Sequence, residues 1–501
     1  MGMRKLVFAV VAALISATPA TAQTFDATLK PVRDAAGEVT AIEVRSTLTD
    51  MPADAGPFSL AAPVVYAALR GVADRVTSLQ VRDSQGLVPL TAKDDPPAPG
   101  GFPYFRHWKA DRPVTYPVTI TYASQVQPPG SPGGPPFGIR PAGGGVSGAG
   151  SGFLVIPEHV RGGTSTVRWD LSGFAAGAAG ITSFGEGQFT VQGPPSRLMQ
   201  GWYMVGPLNR YPTAGDADGY SGAWLGKAPF DVEREMAWAA EVYAYLDRSF
   251  GYLPAPRYRV FMRFLDTPPF GGATALTQSF MLSRSSGPLD PKAEGPRRTL
   301  VHEMTHQWTG GIEAPQGVSS WFSEGLTTFY TALLPMRGGF TSIEDYGEEI
   351  NEMAAGYWGS PARDWSADRI AHAGFGDESI RHVPYNRSSL YFASLDARIR
   401  AKSGGKRKLD DMLKPMFVSR QQGVRFDHAA WKKLLGRELG PEAVAEWERV
   451  ILGGEMFTPE SNAFGPCFRR TPKTYTVENK PVEGYAWVRV PSVPDATCRS
   501  W

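Results

Sequence analysis

His302-Glu303-Met304-Thr305-His306, answered by Glu324 in the run Trp321-Phe322-Ser323-Glu324-Gly325, is the stretch that decides both fold and chemistry. On an α-helix, residues four apart lie one above the other, so both imidazoles reach a single metal ion. Two histidine nitrogens and one carboxylate oxygen make the open three-ligand site of a catalytic zinc, with the fourth position left for water. Glu303, one step after the first ligand, is placed to take a proton from that water. The plainer alternative is a pair of surface histidines on an ordinary helix, but with only 7 His in 501 residues a chance match is uncommon. The flanks agree. Pro296 suits a first helical turn, where its missing N–H costs nothing. Leu300, Met304 and Trp308 form an apolar stripe opposite His302 and His306, giving a buried back and a polar front. A second helix runs from about Trp321 through Leu326, Phe329, Tyr330 and Leu333 until Pro335 and Gly338 stop it, with Glu324 in its first turn. These residues predict a zinc hydrolase holding one zinc per chain.

Upstream of the motif, residues 24 to about 195 read as all-β. Ile42 and Val44, Leu79 and Val81, and Val167, Trp169 and Leu171 keep a period of two, as do Val114, Tyr116, Val118, Ile120 and Tyr122. Pro117 in the last run predicts an edge strand. The Pro/Gly-rich stretch from Pro128 to Gly152 predicts a mobile surface loop, an insertion without function. Near residue 200 the pattern changes. Asp231 caps a helix carrying Val232, Met236, Ala239, Tyr243 and Leu246 that ends at Phe250-Gly251. A strand over Tyr258–Leu265 and an edge strand over Ala275–Ser283 lead into the two metal-bearing helices. Beyond Gly339 the chain reads helical at Ile343–Met353, Ser388–Ser403, Asp427–Leu439 and Pro441–Ile451. The fold class is therefore multidomain α+β. Residues 23–197 form an N-terminal β-sandwich-like domain, 198–338 a mixed α/β catalytic domain with the zinc site, 339–455 a helical domain, and 456–501 a tail.

The first 22 residues read as a secretory signal peptide. Arg4 and Lys5 precede an apolar run from Leu6 to Ile15, and Ala20-Thr21-Ala22 offers a small-residue cleavage site before Gln23. That run is too short to anchor in a bilayer, and no later segment has 18 uninterrupted apolar residues, so no stable membrane span is expected. The expected location is a bacterial periplasm or the exterior. Removing residues 1–22 takes away Arg4 and Lys5 and leaves basic residues in balance with the 49 Asp and Glu. A neutral chain has no electrostatic footprint for nucleic acid. The only two cysteines, Cys467 and Cys498, fall in the tail and, in an oxidising compartment, are expected to pair rather than stay free or bind metal.

The run from His302 to Trp308, the spacer to Glu324, and Trp321 to Tyr330 resemble the glycyl aminopeptidase family of gluzincin metallopeptidases, relatives of the aminopeptidase N group. The spacer of 17 residues between His306 and Glu324 favours the glycyl aminopeptidase branch. The resemblance implies His302, His306 and Glu324 as zinc ligands and Glu303 as general base, on a thermolysin-like catalytic domain. It also implies Tyr385 as the hydroxyl that stabilises the oxyanion, although Tyr385-Asn386-Arg387-Ser388 lacks the glycine of the family pattern. Such enzymes bind the substrate's free amine through a glutamate on a glycine-rich edge strand. The matching stretch here is Gly271-Gly272-Ala273-Thr274-Ala275, with Thr274 in the glutamate's place. The family commonly ends in a peptide-binding PDZ domain, and the roughly 50 residues after Leu452 leave no room for one at usual domain sizes.

Other residues weigh less. His382 is a candidate for contacting substrate, and Arg387 for meeting a substrate carboxylate, each against a structural alternative. His107, His159, His372 and His428 read as structural, and no serine sits in a nucleophile-elbow pattern between a clear strand and helix. The function expected is a zinc-dependent peptidase acting on peptides or proteins, with Gly271 to Thr274 and Arg387 contacting substrate. Two alternatives remain: an inactive zinc-binding protein of the same fold, and a strict aminopeptidase whose amine anchor is another acid such as Asp266 or Asp290.

Overall fold

The computed structural model describes residues 23–52, 54–131 and 134–501, so the signal-peptide reading of residues 1–22 lies outside the described residues. Alternating burial along Thr24–Arg33 and Val118–Gln125 expresses the period of two seen in the sequence. A seven-stranded sheet runs in the order Phe189–Gln192, Thr164–Trp169, Thr24–Arg33, Val39–Leu48, Val118–Gln125, Val76–Asp83 and Gly86–Val88. Val118–Gln125 pairs on both sides and is thus interior rather than an edge. Pro117 precedes it and removes no ladder donor. Two five-stranded sheets lie alongside, one built on Ser59–Tyr66 and Tyr104–Ala110, the other on Gly145–Ala149 and Trp202–Gly206. Leu29, Leu60 and Val205, one from each sheet, share a single core.

The Pro/Gly-rich stretch is not a mobile insertion. Arg140–Ala142 and Gly145–Ala149 form a hairpin that pairs onto Trp202–Gly206, and Gly145–Ala149 is buried throughout. Its glycines serve close contact. A Cβ on Gly148 would come within 2.7 Å of Ile139 Cγ2, and one on Gly150 within 2.1 Å of the Leu198 carbonyl oxygen. The segment is fixed to the neighbouring sheet by Arg263, which is buried and donates to the carbonyls of Pro136 (3.0 Å), Gly138 (2.8 Å) and Ser147 (3.0 Å) and to Ser283 Oγ (3.0 Å). No carboxylate joins this set, and burial, reinforced by Arg140, lowers the guanidinium to about 9.

That neighbouring sheet carries the motif. Its strands run in the order Asn209–Tyr211, Tyr220–Leu225, Tyr258–Leu265, Ser279–Ser285 and Ala273–Leu276. The middle three are parallel, and helix α1 (Val232–Ser249), capped by Asp231 on Arg234 N–H, lies between the first two of them in sequence. The edge strand is Ala273–Leu276 alone, not Ala275–Ser283. The chain turns at Thr277-Gln278, and Ser279–Ser285 returns as an interior strand, which is why Ser279 to Ser283 are buried without alternation.

The helices follow as α2 (Arg297–Thr309), α3 (Ser320–Gly338), α4 (Ile343–Trp358), α5 (Ala367–Ala373), α6 (Glu378–Arg381), α7 (Val383–Ser403), α8 (Leu409–Gln421), α9 (His428–Leu439) and α10 (Pro441–Trp447). Among the described residues none is long and apolar enough to cross a membrane. One hydrophobic core runs from Tyr220 on the sheet, through Met304 and Phe322, to Trp447 and Cys498. The tail belongs to that core. A hairpin of Phe468–Val477 and Lys480–Arg489 packs on α4, with Trp487 N–H donating to Asn351 Oδ1 at 2.9 Å, and a disulfide joins Cys467 to Cys498.

Arg263→Met should lower unfolding stability by about 3 kcal/mol, since buried carbonyls lose their donor. Urea unfolding with an unchanged midpoint would show that the 134–152 segment docks without the guanidinium.

Candidate active site

Helices α2 and α3 bring the motif together as the spacing predicts. Leu300, Met304 and Trp308 are buried in the core, which turns His302 and His306 the other way, toward Glu324 in the first turn of α3. His302 Nε2 lies 3.2 Å from Glu324 Oε2 and 3.2 Å from His306 Nε2, and His306 Nε2 lies 3.3 Å from Glu324 Oε2. Three donor atoms bound to one tetrahedral ion at about 2.0–2.1 Å would sit about 3.3 Å apart. Hydrogen bonds alone cannot account for the triangle, because each Nε2 presents one proton or one lone pair, in one direction. The set could hold a metal ion, and among the described residues it is the one such group of three.

The surroundings orient these donors. Thr327, one turn beyond Glu324, lies with its Oγ1 3.2 Å from His306 Nδ1, and the same hydroxyl contacts Thr309 Oγ1 (2.6 Å) and donates to the Ser323 carbonyl (2.6 Å). His306 is thereby held with Nε2 toward the cleft. Tyr258 Oη donates to the Glu303 carbonyl at 2.9 Å, tying the motif helix to the sheet. Thr327 escaped the sequence reading although its place three residues after Glu324 puts it on the same helix face.

Burial acts against charge on every ionisable group here. It works to raise Glu324, but His306 and then His302 outweigh it and hold the carboxyl well below its ordinary range. Burial lowers His302 despite Glu324, whereas for His306 the same burial is outweighed by Glu324 and Glu303, and the imidazole is raised. Glu303 is pushed up to about 7, first by burial, with Glu324 adding and His306 opposing. Its Oε2 is buried without a hydrogen-bond partner. A carboxylate so placed beside two metal-type histidines is chemically poised to exchange a proton.

Tyr385 stands in the first turn of α7, which begins at Val383 rather than at Ser388. Its ring stacks on His302 with centroids 5.9 Å apart and meets His382 edge-on at 5.0 Å. Burial, then Glu324, raises its phenol well above the ordinary value, so the hydroxyl stays a donor. The approach of α7 depends on Gly325, where a Cβ would lie 2.3 Å from Ser388 Cβ. The glycine in Trp-Phe-Ser-Glu-Gly thus lets α3 and α7 close together and sets Tyr385 beside the metal triangle.

These groups open into a cleft of about 1200 Å³ lined also by Gly271 to Ala275, Arg284, Arg298, Glu352, Glu378, His382 and Asn386, and by Phe102, Pro135 and Phe137 from the β-rich half. Arg387 is not part of it. Its guanidinium is buried behind α7, donating to the carbonyls of Arg363 (3.0 Å) and Trp365 (2.8 Å), which makes it structural. Asp266 accepts from Ser286 Oγ, and neither it nor Asp290 lines the cleft. His107 bridges Asp95 and Glu158, and His428 accepts from Trp321 Nε1 at 3.3 Å, both away from the site.

Residues 296–376, covering the metal-bearing helices and the segment after them, match the family model of the M61 glycyl aminopeptidases. The fold is shared with an aminopeptidase N family protein from Idiomarina loihiensis, at 15% identity and TM-score 0.68 over 90% of this chain and 79% of that one. It is shared too with an M1 zinc metallopeptidase from Deinococcus radiodurans crystallised with a Tyr-Ser-Ala substrate, at 20% identity and TM-score 0.52 over 87% and 95%. Leukotriene A4 hydrolase of Saccharomyces cerevisiae follows at 11% identity and TM-score 0.52 over 87% and 68%. A search of curated proteins found no match. Motif, site and family match together class the chain as a metallopeptidase hydrolase. Within that class the metal-helix segment is similar to the glycyl aminopeptidases, in line with the resemblance of residues 302–330.

The metal set predicts that His306→Ala abolishes bound metal in elemental analysis. Thr327→Val should weaken metal affinity by about tenfold or more while leaving the ligands in place. Undiminished metal in His306→Ala would remove the triangle from consideration.

Proposed function

We propose that the protein is a zinc-dependent peptidase that hydrolyses peptide bonds with Glu303 as general base. The single observation that carries this is the triangle of His302, His306 and Glu324 donors with the buried Glu303 carboxyl beside it, its Oε2 unpartnered. His302, His306 and Glu324 would hold the zinc, which would supply a Lewis acid and a water of lowered pKa. Glu303 takes the proton of the attacking water and delivers it to the departing amine. The Tyr385 hydroxyl donates to the developing oxyanion, and its stacking on His302 supports that assignment. The edge of Ala273–Leu276 offers backbone groups to a substrate in extended form. Export to an oxidising compartment is part of this reading, supported by the Cys467–Cys498 disulfide.

Glu303→Gln should retain zinc and lose turnover by about a hundredfold to ten-thousandfold, because a base is removed and a ligand is not. Tyr385→Phe should lower kcat with little change in KM. A chelator should abolish activity and added zinc restore it. Full activity in Glu303→Gln would sink the mechanism.

Specificity for a free amine is not part of the proposal. Thr274 turns its hydroxyl onto the Ala273 carbonyl (2.6 Å) and brings no charge to the strand. An ammonium buried without a partner would cost several kcal/mol. N-acetylated peptides should therefore be cleaved at least as well as free-amine peptides of the same sequence. Parallel kinetics on both forms decide this, and a strong preference for the free amine would point to an anchoring carboxylate elsewhere in the cleft.

A further inference from the structure

The carboxylates of the cleft are all committed. Glu324 belongs to the metal triangle, Glu303 is the proposed base, Glu352 is paired with Arg298, and Glu378 lies 3.8 Å from Arg381 on the far wall. Arg284 is different. It lines the cleft, is partly buried, and bonds only the Ser283 carbonyl of its own strand at 3.1 Å. Among the described residues it has no ion-pair partner, although burial depresses its guanidinium and only the field of Glu303 opposes this. A cation kept half-dry without a carboxylate is costly unless something else supplies the charge.

The register fixes where it stands. Ala273 pairs with Leu282 and Ala275 with Phe280, and these four residues pack on the core that holds α2. By strand alternation Arg284 shares that face, two residues beyond Leu282. Thr274, opposite Met281, lies on the other face. Beside Arg284 the chain runs through Gly271 and Gly272, and a Cβ on Gly272 would meet nothing within 4 Å, so the strand edge is open there. A peptide laid along the edge strand places side chains at intervals of about 3.3 Å per residue. With the scissile bond at Glu303, the base of the proposed reaction, a side chain of such a peptide would come toward Arg284, which lies within the field of Glu303.

We propose that Arg284 is a specificity residue that receives a carboxylate of the substrate, so that the enzyme favours peptides carrying Asp or Glu within two residues of the scissile bond. This rests on the peptidase reading above and names its substrate class. A charge-assisted bond to a planar guanidinium recognises a carboxylate and not an amide of the same size.

The test uses the zinc-loaded protein and blocked peptides differing only by Glu or Gln at each of the two positions on either side of the cleaved bond. The wild type should show, at one position, a kcat/KM about tenfold higher for Glu than for Gln. In Arg284→Gln that ratio should fall to about one, the larger loss falling on the Glu peptide, and Arg284→Lys should recover part of it. Equal rates for Glu and Gln peptides in the wild type overturn the proposal and leave the peptidase reading intact. An Arg284→Gln variant slowed equally on both peptides also overturns it, and assigns the guanidinium to Glu303 instead. Zinc-loaded protein that cleaves no peptide of the series refutes the proposal together with the reading beneath it.

Discussion

A guanidinium with no carboxylate sits at the junction of the two halves of the molecule, beside an apolar cluster that both halves share. Arg263 points out of an interior strand of the catalytic sheet and is satisfied by carbonyls of Pro136, Gly138 and Ser147. Carbonyls can reach it only if the Pro/Gly-rich backbone comes very close, and Gly138, Gly145, Gly148, Gly150 and Gly152 are among the positions where a Cβ would collide. With that backbone fixed, Pro135 and Phe137 are carried over the rim of the cleft. The β-rich half is therefore a wall of the site as well as a neighbour of it.

A second constraint builds the chemistry. The apolar back of α2 sinks into the core, Gly325 lets α7 approach α3, and Thr327 fixes the ring of His306. Each is a packing requirement with a chemical consequence, since the three helices together decide where three donor atoms and one phenol stand. Burial then does the rest. Dry surroundings push Glu303 up, whereas at Glu324 the adjoining histidines outweigh the same burial and hold the carboxyl down, so two carboxylates of one cleft are set apart in their hold on a proton.

Much of this was legible in the sequence because it rests on local periodicity. The stripe of Leu300, Met304 and Trp308, the Asp231 cap and the Tyr258–Leu265 strand depend on nearest neighbours along one element, and each stands where the pattern puts it. What escaped depends on distant partners. Glycine and proline between residues 128 and 152 read as slack, since nothing local reveals that Ile139 and Leu198 press against them. Arg387 looked available for substrate because it follows Tyr385, yet on a helix a step of two residues turns the side chain to the opposite side, into the Arg363 and Trp365 carbonyls. The edge strand was misplaced because Ala273–Leu276 and Ser279–Ser285 form one apolar run, and only the turn at Gln278, with φ of 49°, divides them.

The division of labour in the cleft follows from these elements. Metal donors, base and phenol are all carried by helices whose backs are buried, so their mutual distances are insensitive to what the strand edge carries. The strand edge and its flanks form another part of the cleft lining, with Gly271, Gly272, Thr274 and Arg284. Thr274 on that edge brings no charge to the cleft and leaves the three donors undisturbed. The charge balance of the strand edge is accordingly positive: Thr274 is neutral, and Arg284 stands two residues past Leu282 in the cleft lining. A positive strand edge disfavours an ammonium and favours a carboxylate, which is the physical basis of the preference proposed for Arg284.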